Sequence, residues 1–395
     1  MLDFTLTDDQ LALQKAARDF ARNEIAPIAA ARDRLPDPNG TGCWDVMRQA
    51  AALGFTKMMR PEAFGGLGLG LHEWLIVMEE FAVADVGFAM AFTLVDIVPQ
   101  MILAAGTEAQ HERLLPSILQ DDLHVGAIAF SEPDRAGSDM MAPDRSVTPG
   151  FSTIAVRDGD DYVINGQKTS WVTNCGPETQ SFILICATDG APPQDLSFFY
   201  LPRDTPGLTI GAQIGKIGCR LADHASLTLD NVRVPAGNLL GPEGAAIDAM
   251  IPGMVASNLG VGAVALGLTR AAYTYALDYA RTRMSWGRPI IEHQAVATML
   301  ADMHIEMEQV RSLMLNAIWS CGQPSSGVDP LRKAAMVKVA SSEMAVRVTR
   351  QAMNVLGAYG LSKEYPVEKW YRDSLSLPIE DVHNIIWRLR IATQL

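Results

Sequence analysis

Basic side chains are scarce in this chain of 395 residues. It has 32 Lys and Arg against 45 Asp and Glu, which gives a formal net charge of -13. Because a nucleic-acid-binding protein needs clustered cations to neutralise phosphates, this balance argues against a nucleic-acid partner. An anionic substrate would need a local basic pocket.

Cysteine is also sparse, and the opening residues do not match the pattern of an export signal. The five cysteines stand far apart, form no C-x-x-C pair and accompany no His cluster at metal-ligand spacing. We therefore expect reduced thiols, no metal site and a cytoplasmic protein. The opening M-L-D-F-T-L-T-D-D-Q has acids where a signal peptide has positive charge followed by an apolar run, so we expect no export.

Only one uncharged stretch is long enough to raise the question of a membrane span. Residues 249–269 carry no charge, but they include four glycines, Pro252, Ser257 and Asn258. A span needs about 20 predominantly apolar residues. The polar and helix-breaking residues favour a buried core helix, and we expect no membrane contact.

The rest of the composition is globular, with 48% hydrophobic and 19% charged residues. Helical periodicity dominates residues 1–122, a period of two dominates residues 123–240, and long helical patterns return in residues 241–395. We predict an α+β multidomain fold with an N-terminal all-α domain, a middle β-barrel or sandwich domain and a C-terminal four-helix bundle. In the middle domain we expect hairpin turns at Asp158-Gly159 and Asn165-Gly166.

Two motifs in the β domain are candidates for a ligand cleft. Residues 131–139, S-E-P-D-R-A-G-S-D, offer hydroxyls and a glycine to a phosphate or a planar ring, although they also suit an ordinary turn. In residues 168–174, Trp171 has the ring to stack on a planar cofactor and Thr173 has a hydroxyl to bond its edge. A tryptophan packed in the domain core is the alternative.

Three further motifs lie in the bundle. Arg283-x-x-Trp286 is followed by a Gly-Arg-Pro turn, and its arginine fork suits a pyrophosphate or merely a solvated helix end. Residues 357–360, G-A-Y-G, form a glycine turn after a helix, without the spacing of a Rossmann fingerprint. Glu380 and Asp381 are either helix-capping charges or a desolvated general base.

In this order, the motifs resemble those of the acyl-CoA dehydrogenase family over essentially the whole chain. P-E-A-F-G-G-L-G at 61–68 is similar to the family's P-E-x-x-G-G-x-G, and residues 131–139 to T-E-P-x-A-G-S-D. N-G-Q-K with W-V-T-N at 165–174 is similar to N-G-x-K-x-W-I-T-N. The resemblance implies an oxidoreductase of lipid or acid catabolism that binds FAD and normally assembles as a homotetramer, with a dimer as the smaller possibility.

The resemblance also implies roles for individual residues. Trp171 would lie against the isoalloxazine ring, Ser131 and Thr173 would bond its polar edge, and Ser138 would lie near the phosphates of a bound ligand. The remaining positions would hold the pyrophosphate and adenine of an FAD in a neighbouring subunit; they are Arg283, Ser285, Trp286, Gln294, Asn354, Gly357 and Gly360.

The family reaction removes the α-proton of an acyl thioester with a carboxylate while the β-hydrogen leaves as hydride to flavin N5. The base must be desolvated enough for its pKa to approach the working pH. A gapless match of Tyr371-Arg372-Asp373 to the family's Y-R-D puts Asp381 at the position of the usual Glu, with Glu380 one residue before it. We predict Asp381 as the base, with Glu380 as the alternative. In some branches the base lies on the first bundle helix, but Ser257 occupies that position here.

Other departures concern the ligand. Asn258 stands where an arginine often lies near coenzyme A, and His383 stands where a small Thr is usual and is expected to crowd the site.

The leading hypothesis is an FAD-dependent acyl-CoA dehydrogenase that passes electrons to an electron-transfer flavoprotein. The departures at Asp381 and Asn258 motivate an alternative: a flavin oxidase, similar to nitroalkane oxidases, or a monooxygenase of the same fold that acts on a substrate other than a CoA ester. A flavin-free binding subunit is a third reading.

Overall fold

The computed structural model describes residues 4–143, 150–188, 196–322 and 327–395. Within these ranges the order of helices, then strands, then helices is confirmed.

The N-terminal part is built from helices joined by short turns. Its first helix begins at a capping box, in which the Thr7 hydroxyl accepts from Gln10 N–H at 3.2 Å. Its fifth and sixth helices are apolar nearly all round. The helices are α1 (Asp8–Phe20), α2 (Ala26–Asp33), α3 (Trp44–Ala52), α4 (Leu71–Ala84), α5 (Val86–Leu94), α6 (Ile97–Ala105) and α7 (Glu108–Ile118).

The middle part is an eight-stranded sheet with its own apolar core. Its strands are β1 (Gly126–Ala129), β2 (Ile154–Asp158), β3 (Asp161–Thr173), β4 (Ser181–Thr188), β5 (Ser197–Pro202), β6 (Leu208–Ile210), β7 (His224–Pro235) and β8 (Leu239–Leu240). The order is β6-β7-β3-β2-β4-β5-β8, and β1 pairs in parallel with β4. The antiparallel pairing of β3 with β7 places Thr173 opposite His224.

One of the two predicted hairpin turns is wrong. Asp158 pairs with Asp161 around a tight turn, as predicted, but Asn165-Gly166 lies inside β3 at an irregularity of the β3–β7 register. A Cβ atom on Gly166 would lie 2.6 Å from the Cα of Thr153. Glycine is therefore needed for close approach of the neighbouring backbone, a use that the dipeptide alone does not distinguish from a turn.

Outside residues 323–326, the C-terminal part has three long helices and two short ones: α8 (Ala246–Thr282), α9 (Gln294–Cys321), α10 (Pro330–Leu356), α11 (Val367–Ser374) and α12 (Asn384–Ala392). A short hairpin of β9 (Met284–Ser285) and β10 (Arg288–Pro289) separates α8 from α9. Helix α8 packs against both α4 and α10, and one apolar core runs through the N-terminal helices and the bundle. A second apolar cluster packs residues of α6, α7 and α8 against β4 and β5 of the sheet.

Two stretches are apolar and long enough to cross a membrane by length and composition alone, Val86–Ala105 and Ala246–Thr282. In the fold, 67% of the most apolar 18-residue segment of the first stretch and 56% of that of the second are buried. The second contains the stretch singled out in the sequence, and Leu259 to Thr269 are buried without interruption, as expected for a core helix.

Candidate active site

A cavity of about 280 Å³ lies where the helices, the sheet and the bundle meet. Every part of the chain contributes to its wall. The lining residues are Met90, Thr93 and Leu94 of α5, Ile97 and Met101 of α6, Ile128 of β1, Phe130, Ser131, Gly137 and Ser138 of the following loop, Trp171 and Thr173 of β3, Met250, Gly253, Met254, Ser257, Val261 and Val264 of α8, and Glu380, Asp381 and Val382. Of the predicted site residues, the cavity brings together Ser131, Ser138, Trp171, Thr173, Glu380 and Asp381.

The loop that carries Ser131 is fixed by buried polar contacts. The Ser131 hydroxyl accepts from Gly137 N–H at 2.9 Å, which leaves its own proton to donate. A Cβ on Gly137 would lie 2.9 Å from that hydroxyl, so the position requires glycine. Beneath the loop, the fully buried Lys168 ammonium donates to the carbonyl of Phe130 and to Glu132 at 3.0 and 3.1 Å. Glu132 and Lys168 therefore support the loop rather than line the cavity.

Trp171 lies on the surface of the cavity and not in the core of the sheet. Its side chain is 63% exposed, which excludes the core alternative considered from sequence. Its ring meets the His224 ring edge-on, with centroids 5.8 Å apart. The Thr173 hydroxyl lies 3.0 Å from His224 Nε2. A planar ring placed against Trp171 would thus have hydroxyls of Ser131 and Thr173 within the same cavity.

Glu380 and Asp381 are held in the segment between α11 and α12. Each has one buried carboxylate oxygen without a hydrogen-bond partner. Neither caps α12, because His383 does so by accepting from Ile385 N–H at 3.1 Å. A buried, unpaired carboxylate is costly unless a ligand or a proton satisfies it, so the arrangement favours the general-base reading.

Burial controls the ionisation of this pair. Desolvation raises the pKa of Glu380 to about 8, and the Asp381 carboxylate adds to that rise, whereas Lys338 and Lys216 oppose it. Desolvation also raises the pKa of Asp381, and a hydrogen bond from Ser257 and the charge of Lys338 oppose that rise. At neutral pH, Glu380 is therefore mostly protonated.

The backbone around the pair is strained and is fixed from α10. Asp381 and Val382 have φ values of 52° and 71°, and a β-branched residue there costs about 1–3 kcal/mol. The buried Lys338 ammonium donates to the carbonyl of Val382 and to Asn384 Oδ1, each at 2.8 Å. Trp387 Nε1 donates to the Asp381 carbonyl at 3.3 Å. These contacts hold the carboxylates toward the cavity.

The two polar residues of α8 singled out in the sequence face different surroundings. Ser257 lines the cavity beside Asp381. Asn258 is fully buried, and both of its side-chain polar atoms lack a hydrogen-bond partner. No cation stands at this position to meet a phosphate.

The other predicted residues lie on a separate surface, here named the open face and defined by Arg283, Trp286, Tyr359 and Leu361. All four residues are exposed to solvent, and the Trp286 side chain is 94% exposed. The Arg283 guanidinium lies 5.6 Å from the centre of the Tyr359 ring, so the end of α8 does meet the glycine turn after α10. Gln294 and Asn354 are exposed, whereas Ser285 is half-buried.

The two glycines of that turn have structural reasons to be glycine. Gly357 ends α10 with a φ of 63°. A Cβ on Gly360 would lie 2.5 Å from the Met353 carbonyl oxygen. The His383 ring caps α12, and His383 is not among the cavity-lining residues, so its expected crowding of the site stays a prediction.

Sequence reasoning did not identify Lys216, His224 and Lys338, which act on the cavity from outside it. The sequence did mark Lys338 as unusual, since it stands on the apolar stripe of α10 beside Ala334, Ala335 and Val337.

Within the described residues, no group of three or more His, Cys, Asp or Glu is placed to hold a metal ion. All five cysteines are free.

Comparison with known proteins gives the same family along the whole chain. Models of the N-terminal, middle and C-terminal domains of acyl-CoA dehydrogenase match residues 7–122, 127–232 and 247–395. A short-chain specific acyl-CoA dehydrogenase from Bos taurus mitochondria is 33% identical, covering 99% of this chain and 90% of the relative. An acyl-CoA dehydrogenase of Bacillus subtilis is 30% identical, covering 99% and 98%. The structure of butyryl-CoA dehydrogenase from Megasphaera elsdenii superposes with a TM-score of 0.89 at 30% identity, covering 100% and 99%.

Proposed function

Because the chain belongs to the acyl-CoA dehydrogenase family of oxidoreductases, we propose that it desaturates an acyl thioester between the α and β carbons, with FAD as cofactor and Asp381 as base. The observation that carries the proposal is the cavity itself. Two carboxylates with unpartnered buried oxygens share it with an exposed Trp171 ring and the hydroxyls of Ser131 and Thr173.

The residues present fit a flavin. A tricyclic ring needs a flat apolar surface and donors at its polar edge, and Trp171, Ser131 and Thr173 offer these in one cavity. A bound FAD would supply the acceptor for the β-hydride. Ser138, on the same wall, would lie toward the phosphates of a bound ligand.

Asp381 is favoured over Glu380 because a base must be ionised before it accepts a proton. Glu380, with a pKa of about 8, is mostly protonated at neutral pH. The Ser257 hydroxyl and the Lys338 charge favour the ionised form of Asp381. Desolvation still raises the pKa of Asp381 and so makes it a stronger base than an exposed aspartate.

A short acyl group is the substrate that the cavity supports best. Its lining includes the apolar side chains of Met90, Leu94, Ile97, Met101 and Met250. At about 280 Å³ the cavity lies just below the range of about 300–1,000 Å³ typical of ligand pockets, and the flavin ring would share this space. Flexible methionines would adapt to small differences in acyl shape.

The open face supports assembly. We propose a homotetramer, in which Arg283, Ser285, Trp286, Gln294 and the turn from Asn354 to Gly360 hold the pyrophosphate and adenine of a neighbouring subunit's FAD. An arginine fork suits a pyrophosphate, and a tryptophan exposed to 94% is unusual on a free surface.

Electrons would pass to an electron-transfer flavoprotein, and the protein would act in the cytoplasm.

Anaerobic titration of the purified protein with butyryl-CoA, glutaryl-CoA, octanoyl-CoA and palmitoyl-CoA tests the proposal. We expect a yellow protein whose flavin absorbance is bleached most rapidly by a short acyl-CoA. A yellow protein that no member of this panel bleaches would contradict the dehydrogenase reading.

The buried Asn258 keeps an oxidase as the second candidate, because no cation at this position meets the phosphates of coenzyme A. Peroxide release in air with a nitroalkane or another substrate that lacks coenzyme A would favour it. Slow reoxidation of the reduced protein in air would favour the dehydrogenase instead.

A further inference from the structure

A chain of three polar side chains leads from outside the cavity to its wall. The Lys216 ammonium lies 2.8 Å from His224 Nδ1, and His224 Nε2 lies 3.0 Å from the Thr173 hydroxyl. His224 is only 6% exposed, and it stands opposite Thr173 in the β3–β7 pairing. Of the three, only Thr173 lines the cavity.

The contacts of Lys216 determine which ring nitrogen of His224 carries the proton. The ammonium also donates to the Cys219 carbonyl at 2.9 Å and to the Ala222 carbonyl. An ammonium has three protons and no lone pair, so its third contact requires His224 Nδ1 to accept. The proton of the neutral ring is then on Nε2. Burial and the Lys216 charge lower the pKa of His224 to about 3, so the ring stays neutral over the physiological range.

This tautomer sets the direction of the Thr173 hydroxyl. His224 Nε2–H donates to Thr173 Oγ1, so the single proton of the hydroxyl points away from the imidazole. The Ala222 carbonyl lies 3.2 Å from Nδ1 and would bind a proton there if Lys216 were absent. In that case Nε2 would become an acceptor, and the hydroxyl would turn toward it.

We propose that His224, held in one tautomer by Lys216, is a positioning residue that commits the Thr173 hydroxyl to donate into the cavity, to the polar edge of the flavin ring. This inference rests on the FAD part of the proposed function. Lys216 and His224 would then influence the flavin ring through the Thr173 hydroxyl, and neither would contact the ring through this chain of hydrogen bonds.

Four variants separate this role from a general structural one. His224→Gln keeps an N–H donor near the position of Nε2, whereas His224→Leu removes it. Lys216→Met leaves His224 in place but frees its tautomer. Thr173→Val removes the hydroxyl through which both would act, and it is combined with each of the other changes.

The measurements are the FAD dissociation constant of the apoprotein, followed by flavin fluorescence, and the ¹⁵N chemical shifts of His224. We expect the Nε2–H tautomer in the wild-type chain. We expect about fivefold weaker FAD binding in His224→Leu and Lys216→Met, the effect of one ordinary hydrogen bond, and near wild-type binding in His224→Gln. When His224→Leu or Lys216→Met is combined with Thr173→Val, neither should weaken FAD binding beyond the effect of Thr173→Val alone. Thermal unfolding midpoints identify any variant that fails to fold.

An Nδ1–H tautomer in the wild-type chain would overturn the inference, and so would equal losses with and without the Thr173 hydroxyl. A folded wild-type apoprotein that binds no FAD would overturn the proposed function and this inference with it. Normal FAD binding with no difference among the variants would overturn this inference alone.

Discussion

The cavity around Glu380 and Asp381 is walled by all three parts of the chain, whereas the open face around Arg283 and Trp286 consists of one short hairpin and one turn. In the cavity, buried carboxylate oxygens lack partners inside the protein. On the open face, a large aromatic side chain has almost no neighbours within its own chain. Under the proposed function, the first region would bind a small ligand and the second would contact a neighbouring subunit. Substitutions should therefore separate chemistry in the cavity from cofactor retention at the open face.

Replacing the base should have the largest effect. Asp381→Asn keeps the size and removes the charge, and we expect the rate of anaerobic flavin reduction by a substrate acyl-CoA to fall by about a thousandfold, within the range for a general base. The matched change Glu380→Gln should lower it far less, because Glu380 already holds a proton at neutral pH. The reverse order would assign the base to Glu380.

A change on the open face should alter cofactor retention without altering chemistry. We expect Arg283→Ala to weaken FAD binding by about tenfold, since an arginine contact with a phosphate is charge-assisted. The flavin reduction rate of the FAD-saturated variant should remain that of the wild type. Leu53→Ala, at an exposed apolar residue at the end of α3, is the control for surface truncation. A reduction rate that falls as in Asp381→Asn would remove the distinction between the two regions.

The smallest effect concerns stability. Because the pKa of Glu380 is raised on folding, from 4.5 to about 8, its contribution favours the fold at low pH and is lost as the pH rises through 8. Glu380→Gln is neutral at every pH. Its unfolding midpoint relative to the wild type should therefore increase between pH 4.5 and 8 and become constant above 8, with a total gain of several degrees. A difference between the two midpoints that does not change with pH would show that Glu380 titrates normally.

The sequence predicted those parts of the site that lie in short contiguous motifs. Trp171 and Thr173 come from one strand, and Glu380 and Asp381 are adjacent, so local patterns and the family resemblance located them. The order of helical and β parts followed from periodicity in the same way. The hairpin expected at Asn165-Gly166 was wrong because the dipeptide does not show whether glycine serves a turn or the approach of Thr153.

Residues that act across the fold were not predictable from a local pattern. His224 reaches Thr173 only because β7 pairs with β3, and Lys338 reaches the carboxylate segment from another helix. A single histidine in a strand and a single lysine on a helix are ordinary in sequence. Their contacts with the site can be identified only when strand register and helix packing are known.

The pH dependence of anaerobic flavin reduction, measured in the wild type and in Glu380→Gln, tests most directly the claim that Asp381 is the ionised base beside a protonated Glu380. We predict that the rate rises with pH as Asp381 ionises, and that the same rise remains in Glu380→Gln. A rise centred near 8, the pKa of Glu380, that disappears in Glu380→Gln would contradict the account and make Glu380 the base.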